Sequence, residues 1–161
     1  MTVPRIVTTA ALLLLGLDQA ALAIDARVLF YDPFRRKNIY VFNTSTNTCD
    51  TIYDGNDASL GEPRFSPDGK KVCFYEGGWC YVMNNDGSSL EQIAPITTSG
   101  RKGLILNYST KGVFYLDANA DVWHIDIDAK TNTKIYHVTG AKAGDGWGMW
   151  TSRDATRAIA W

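Results

Sequence analysis

The chain has 161 residues, of which 12% are aromatic and 14 are glycine; this composition is typical of a folded, turn-rich β protein and excludes a disordered one. Its 16 basic and 17 acidic residues leave a net charge of −1, so no overall positive field directs it to nucleic acid or to an anionic membrane. Three cysteines are too few for a disulfide framework.

Residues 1–23 have the pattern of an export signal. Arg5 supplies a positive charge, an apolar stretch runs from Ile6 to Leu17, and Ala21-Leu22-Ala23 is a small-x-small cleavage motif. The stretch falls short of the roughly 20 residues that span a bilayer. We therefore expect residues 1–23 to be removed, leaving no transmembrane segment, and the protein to be secreted into the periplasm or the extracellular space.

A repeat of about 43 residues organises the rest of the chain. The last three of its four units begin with a short segment that contains one of three repeated serines, which lie 43 residues apart: Ser66, Ser109 and Ser152. The first three units each contain two apolar segments, first Val28-Leu29-Phe30, Val72-Cys73-Phe74 and Val113-Phe114-Tyr115, then Tyr40-Val41-Phe42, Tyr81-Val82-Met83 and Trp123-His124-Ile125. An outer strand is predicted around Ile52, Ile93 and Val138. Four short strands per unit are typical of a propeller blade.

The predicted fold is therefore all-β and consists of β-propeller blades, each a four-stranded antiparallel meander. The units cover approximately residues 24–61, 62–102, 103–146 and 147–161, which gives about three blades plus part of a fourth. Because the first unit lacks an inner strand and propellers typically have 4 to 8 blades, we expect an incomplete propeller, the N-terminal fragment of a longer protein.

One repeat carries a well-formed motif. Phe65-Ser66-Pro67-Asp68-Gly69 precedes an apolar strand, and Tyr81-Val82-Met83-Asn84-Asn85-Asp86-Gly87 ends the next. These residues resemble the TolB-type, WD40-like propeller repeat. The motif weakens at Ser109-Thr110-Lys111-Gly112 and partly returns at Ser152-Arg153-Asp154-Ala155. Proline, aspartate and glycine in this order reverse the chain, so Asp68 is predicted to be structural.

A glycine turn at Glu76-Gly77-Gly78 predicts a hairpin in which residues 72–75 pair with residues 79–83. A loop at Glu76-Gly77 would place Cys73 and Cys80 opposite each other and permit a disulfide. A loop at Gly77-Gly78 would make them diagonal neighbours and strain such a bond. Both registers remain open, as does the alternative of two small buried thiols.

The sequence contains no Gly-x-Ser-x-Gly, His-Glu-x-x-His, phosphate-loop or CxxC motif, and we predict no catalytic residue, cofactor or metal site in it. His124 occupies a strand position filled by Val41 and Val82 in the other units, which favours packing over a ligand or base role. His137 has no obvious carboxylate partner.

A calcium loop is one interpretation of the segment after the third apolar strand. Asp117, Asn119 and Asp121 stand at ligand positions 1, 3 and 5, with Asp128 at position 12. Val122 occupies the position that requires glycine, so a solvated hairpin turn is favoured.

Loops that join the second to the third strand of a blade emerge on the same side as the connections between blades. We predict that this side, the basic loop face, gathers six cations and one aromatic residue: Arg35, Arg36, Lys37, Arg101, Lys102, Lys142 and Trp147. Such a surface fits an acidic protein segment or an anionic glycan, and ordinary solvated charge is the alternative.

The leading hypothesis is an exported, non-catalytic propeller that binds a protein or a cell-envelope component and not nucleic acid. Two alternatives remain open. One is the N-terminal propeller of a prolyl-oligopeptidase-like hydrolase or of a lyase, with its catalytic part beyond residue 161. The other is a carbohydrate-binding propeller with exposed aromatic side chains.

Overall fold

A computed structural model of the chain describes residues 26–32, 37–55, 60–61, 63–97, 106–140 and 149–160. The described residues form β-strands joined by turns and contain no helix. None of them therefore belongs to a helix of the length and apolarity required to cross a bilayer. The predicted all-β class is confirmed.

The strands form four antiparallel sheets, and each sheet follows the chain order. The first sheet contains β1 (Arg27–Tyr31), β2 (Asn38–Asn43) and β3 (Thr48–Asp54). The second contains β4 (Arg64–Phe65), β5 (Lys71–Glu76), β6 (Trp79–Asn84) and β7 (Glu91–Pro95). The third contains β8 (Asn107–Ser109), β9 (Gly112–Leu116), β10 (Asp121–Asp126) and β11 (Thr131–His137), and β12 (Met149–Thr151) pairs with β13 (Ala158–Ala160) in a fourth. These sheets are the predicted blades, about three and part of another.

The hydrophobic cores lie between neighbouring blades. Alternate residues of β5 point to opposite sides of its sheet. Val72 and Phe74 are fully buried in one cluster with Ile39 of the first blade. Cys73, on the other side, is fully buried in a second cluster with Tyr115 of the third blade. Face-to-face packing of this kind fixes the position of each turn relative to the turns of the next blade.

The hairpin between β5 and β6 has the predicted strands and turns at Gly77-Gly78, with Glu76 opposite Trp79. Cys73 therefore faces Val82, and Cys80 is its diagonal neighbour. Of the two registers that the sequence left open, the structure has the one that strains a disulfide, and both thiols are free and buried. Burial raises the pKa of Cys73, and it raises the pKa of Cys80 to about 12.

A β-bulge recurs in the outer strand of each of the first three blades. The register skips one isoleucine each time: Ile52, Ile93 and Ile135. The outer strand predicted around Val138 is β11, which ends at His137, and the equivalent of Ile52 and Ile93 is Ile135 and not Val138. Val138 follows β11, and its N–H donates to the carbonyl oxygen of Ala120 at 2.9 Å. Ile135 and Val138 are both apolar and fit the sequence pattern equally, and only the position of the bulge distinguishes them.

Candidate functional site

The predicted basic loop face falls mostly outside the described residues. Six of its seven members lie there: Arg35, Arg36, Arg101, Lys102, Lys142 and Trp147. Lys37 is described and exposed. Its Nζ lies 3.5 Å from Asp54 Oδ1, and its carbonyl oxygen accepts a hydrogen bond from Gly55 N at 2.8 Å. The basic loop face therefore stays a prediction.

The opposite side of the blades carries the turns that join the first strand of a blade to the second. We call it the turn face and define it by the turns Ser66–Lys71, Ser109–Gly112 and Ser152–Arg157. Each turn begins at one of the repeated serines. The spacing of 43 residues thus brings equivalent turns to the same side of neighbouring blades.

The Ser66–Lys71 turn is closed by side-chain hydrogen bonds. Ser66 Oγ donates to Asp68 Oδ1 at 2.6 Å, and Lys70 N donates to the same oxygen at 3.1 Å. Gly69, at φ 71°, provides the left-handed residue. The hydrogen bond from Ser66 is the main reason that the pKa of Asp68 lies below its usual value. The predicted structural role of Asp68 is confirmed.

The Ser109–Gly112 turn is shorter and contains no carboxylate. Ser109 pairs directly with Gly112, and Lys111 N donates to Ser109 Oγ at 3.0 Å. Thr110 N donates to the carbonyl oxygen of Arg153 at 2.9 Å, which joins this turn to the next one. Lys111 and Arg153 therefore lie on adjoining turns.

A groove of about 710 Å³ lies on the turn face between the second and third blades. Four cations line it: Lys71, Lys111, Lys130 and Arg153. Four carboxylates also line it: Asp68, Glu91, Asp126 and Asp128. Tyr108 adds an aromatic ring. The volume is within the range of ligand sites, about 300–1,000 Å³, and the walls are more polar than those of a typical small-molecule pocket.

One ion pair connects the two walls of the groove. Lys130 Nζ, in the turn after β10, lies 2.5 Å from Glu91 Oε1 at the start of β7. The hydrogen bond from Lys130 lowers the pKa of Glu91. Both side chains are about half exposed. The pair therefore links the second and third blades while it remains open to solvent.

The two histidines have different surroundings. His124 stacks on Phe114 with ring centroids 4.6 Å apart, and its Nε2 lies 2.6 Å from the carbonyl oxygen of Lys111, so the packing interpretation is confirmed. The expectation that His137 lacks a carboxylate partner was wrong. Its Nδ1 lies 2.7 Å from Asp121 Oδ1. The partner is 16 residues away and meets His137 only through the pairing of β10 with β11.

The segment weighed as a calcium loop is a hairpin turn. Asp117 Oδ1 accepts hydrogen bonds from Asn119 N at 2.8 Å and from Asp121 N at 2.9 Å. Its Oδ2 accepts one from Trp123 Nε1 at 3.2 Å. The buried carboxylate of Asp117 thus accepts backbone hydrogen bonds of this turn. No cluster of three or more His, Cys, Asp or Glu side chains suited to a metal ion occurs in the described part of the chain.

The groove could not be found from the sequence motifs, because they emphasise the residues that close each turn. Asp68 was singled out, whereas Lys71, Lys111 and Arg153 are ordinary charged residues in sequence. The available signal was the 43-residue spacing of the serines, which predicts that successive turns lie side by side.

No family model matches the sequence, and no curated protein matches it. Solved structures do match. A structural-genomics protein of unknown function from Bacteroides thetaiotaomicron is 16% identical, with 80% of this chain and 34% of that chain covered and a TM-score of 0.57. A chain of the mitotic checkpoint complex is 14% identical, with coverage of 77% and 37% and a TM-score of 0.58. An oligogalacturonate lyase in complex with manganese is 12% identical, with coverage of 74% and 38% and a TM-score of 0.50.

At these identities the likeness shows the fold alone. The sheets are propeller blades, in agreement with the resemblance to the TolB-type repeat. The chain spans about a third of the length of the solved structures it matches. Enzymes occur among these structures, so the fold itself does not separate a binding protein from an enzyme.

Proposed function

We propose that this chain is part of an exported, non-catalytic β-propeller that binds a protein or a cell-envelope component through the groove on its turn face. The observation that carries the proposal is the groove itself, which is about 710 Å³ in volume and is lined by four cations and four carboxylates. Charged walls of both signs suit a polypeptide segment, because its own charged and polar groups can be matched one by one. Turns held by packed blades commonly form such sites.

The chemistry of the described side chains supports a binding role. Asp68 and Asp117 accept hydrogen bonds that hold turns together. Asp121 is matched by Lys134 Nζ at 3.0 Å and by His137. The Cys73 thiol is buried with a raised pKa, which is the opposite of what a nucleophilic cysteine requires.

The basic loop face is a second surface that we retain as a proposal. It rests on the sequence pattern, and the one described member, Lys37, is already paired with Asp54. The groove has the stronger support because its lining is described on both walls. Export is proposed from the signal pattern of residues 1–23.

The test is binding of the purified protein to an array of short synthetic peptides that samples acidic, basic, mixed-charge and apolar sequences. Thr110 is exposed and lines the groove, so Thr110→Trp should obstruct the groove and abolish binding. Thr139 is exposed in the turn after β11 and does not line the groove, so Thr139→Trp is the matched control.

The proposal predicts that a reproducible subset of peptides binds, that only Thr110→Trp removes the binding, and that mass spectrometry recovers every bound peptide intact. An array without bound peptides would overturn the binding function. Loss of binding in Thr139→Trp alone would contradict the placement of the site in the groove. Cleaved peptides would contradict the non-catalytic role.

A further inference from the structure

The groove is lined by equal numbers of cations and carboxylates, but the two kinds of side chain differ in how many already form hydrogen bonds or ion pairs within the protein. Among the carboxylates, Asp68 already accepts hydrogen bonds from Ser66 and Lys70, and Glu91 is paired with Lys130. Asp126 Oδ1 accepts a hydrogen bond from Ala129 N at 2.8 Å. Three of the four acids thus already accept a hydrogen bond or form an ion pair within the protein, although Asp68 and Asp126 keep their negative charge, and Asp128 is the one acid without such a bond to the described residues.

The cations show the opposite pattern. The side chains of Lys71, Lys111 and Arg153 form no hydrogen bond or ion pair with the described residues. A lysine has three N–H donors and an arginine has five, and neither has an acceptor. Three cations of the groove therefore keep charged N–H donors that no described group accepts. Only one of its carboxylates, Asp128, has no hydrogen bond or ion pair with the described residues.

From this difference between the cations and the carboxylates we infer that the groove binds an acidic polypeptide segment in an extended conformation. The inference rests on the proposed binding function. Lys111 and Arg153 lie on adjoining turns, joined by the bond from Thr110 N to the Arg153 carbonyl oxygen. Lys71 lies at the start of β5 in the second blade. Donors from successive blades can thus reach successive carboxylates along one segment. Carboxylates bound by charged donors form the stronger class of hydrogen bonds.

The geometry of the groove favours a segment over a single small anion. Its lining runs from the Ser66–Lys71 turn of the second blade, past the Ser109–Gly112 turn of the third, to Arg153 of the fourth sheet. Asp128 gives a position at which an acidic side chain is disfavoured, so a segment with one polar or basic residue among its acids is the best match.

The probe for the test is a fluorescently labelled oligo-glutamate peptide, and the measurement is its anisotropy with the full chain. Lys111→Gln with Arg153→Gln neutralises two groove cations at nearly constant size. Lys37→Gln with Lys134→Gln removes the same charge from exposed positions that neither line the groove nor belong to its turns. Circular dichroism of both variants verifies that they fold.

We expect the wild type to bind oligo-glutamate more tightly than oligo-lysine, and binding to weaken as salt increases. The groove variant should bind at least about tenfold more weakly, since each charge-assisted hydrogen bond contributes about that factor. The control variant should stay within about twofold, because distant surface charges are screened.

Equal losses in the two variants, or equal binding of oligo-glutamate and oligo-lysine, would overturn the inference. So would a sulfated glycan that binds in the groove while oligo-glutamate does not. A different outcome is that oligo-glutamate does not bind while other peptides on the array bind the wild type and lose binding in Thr110→Trp. In that case the inference of an acidic partner is wrong, and the proposed binding function stands. If no peptide binds, the binding function itself fails.

Discussion

The turns that begin at Ser66 and at Ser109 occupy equivalent places in neighbouring blades but close in different ways. The first contains Asp68 and has its serine N–H bonded to the carbonyl oxygen of Lys71, five residues on. The second has no carboxylate and pairs Ser109 directly with Gly112, three residues on. Ser66 directly follows β4, and Ser109 is the last residue of β8. The serine therefore marks where the turn begins, and an aspartate two positions later accompanies the longer turn.

The turn that begins at Ser152 supports this conclusion. It has an aspartate at the same offset, Asp154, which accepts hydrogen bonds from Ser152 Oγ at 2.7 Å and from Thr156 N at 3.1 Å. Ser152 N donates to the carbonyl oxygen of Arg157, again five residues on. An aspartate accompanies the long turn, and its absence accompanies the short turn that holds Lys111 at the groove.

The largest effect expected from this comparison comes from the two turn glycines. Gly112 has φ 118°, and a Cβ there would clash with the carbonyl oxygen of Ile125 and lie 2.8 Å from His124 Nε2. Gly69 has φ 71° and open space around it. We expect Gly112→Ala to lower the free energy of unfolding by more than about 3 kcal/mol, because strain and overlap add. Gly69→Ala should cost about 1 kcal/mol.

Urea denaturation followed by circular dichroism measures both changes in the same chain. Gly69→Ala is the matched control, since it makes the same chemical change in an equivalent turn. Equal losses of stability would contradict the tight closure of the Ser109–Gly112 turn.

The second prediction concerns pH. Hydrogen bonds from Ser152 and Thr156 lower the pKa of Asp154 from 3.8 to about 2. A carboxyl whose pKa is depressed by folding stabilises the fold fully above its unfolded value, and this contribution is lost as the pH falls through its folded value. Between about pH 4 and pH 2 the long turns should therefore loosen, and the carboxylate-free turn should not.

Amide proton chemical shifts in an acid titration test this difference. The amide of Thr156 should titrate with a midpoint near pH 2, because it donates to Asp154 Oδ1. The amide of Lys111, which donates to a serine hydroxyl, is the internal control and should stay constant. A midpoint for Thr156 near the ordinary aspartate value would show that the hydrogen-bonded turn does not form.

Sequence reasoning predicted the blades because their pattern is local. Apolar triplets and repeated serines set the strand positions, and Gly77-Gly78 set a hairpin that the structure contains. Sequence reasoning failed where a residue's position or contact depends on the register between paired strands. The bulge at Ile135 and the contact between His137 and Asp121 arise from pairing across strands, which single-chain spacing does not reveal.

The candidate site was harder to predict for a related reason. Whether a lysine is available to a ligand depends on the hydrogen bonds and ion pairs around it, which come from other blades. Lys130 and Lys111 look alike in the sequence, yet only Lys130 is paired, with Glu91 of the preceding blade.

The smallest expected change in stability comes from Ala155, the residue with left-handed backbone conformation in the Ser152–Arg157 turn. Ala155 has φ 57° and occupies the place that glycine holds in the Ser66–Lys71 turn, where Gly69 has φ 71°. Ala155→Gly should relieve strain and raise the free energy of unfolding by less than about 1 kcal/mol, since the greater freedom of glycine in the unfolded chain offsets part of the gain. Thermal denaturation checks the sign, and a loss of stability would show that the two turns are not equivalent.

Hydrogen–deuterium exchange of the full chain with and without oligo-glutamate tests the central claim, that the groove between the second and third blades binds an acidic segment, most directly. The account predicts slower exchange at the Ser66–Lys71 and Ser109–Gly112 turns and around Arg153, and unchanged exchange around Lys37 on the other side of the blades. Protection around Lys37 without protection of these turns, or no protection at either place, would contradict it.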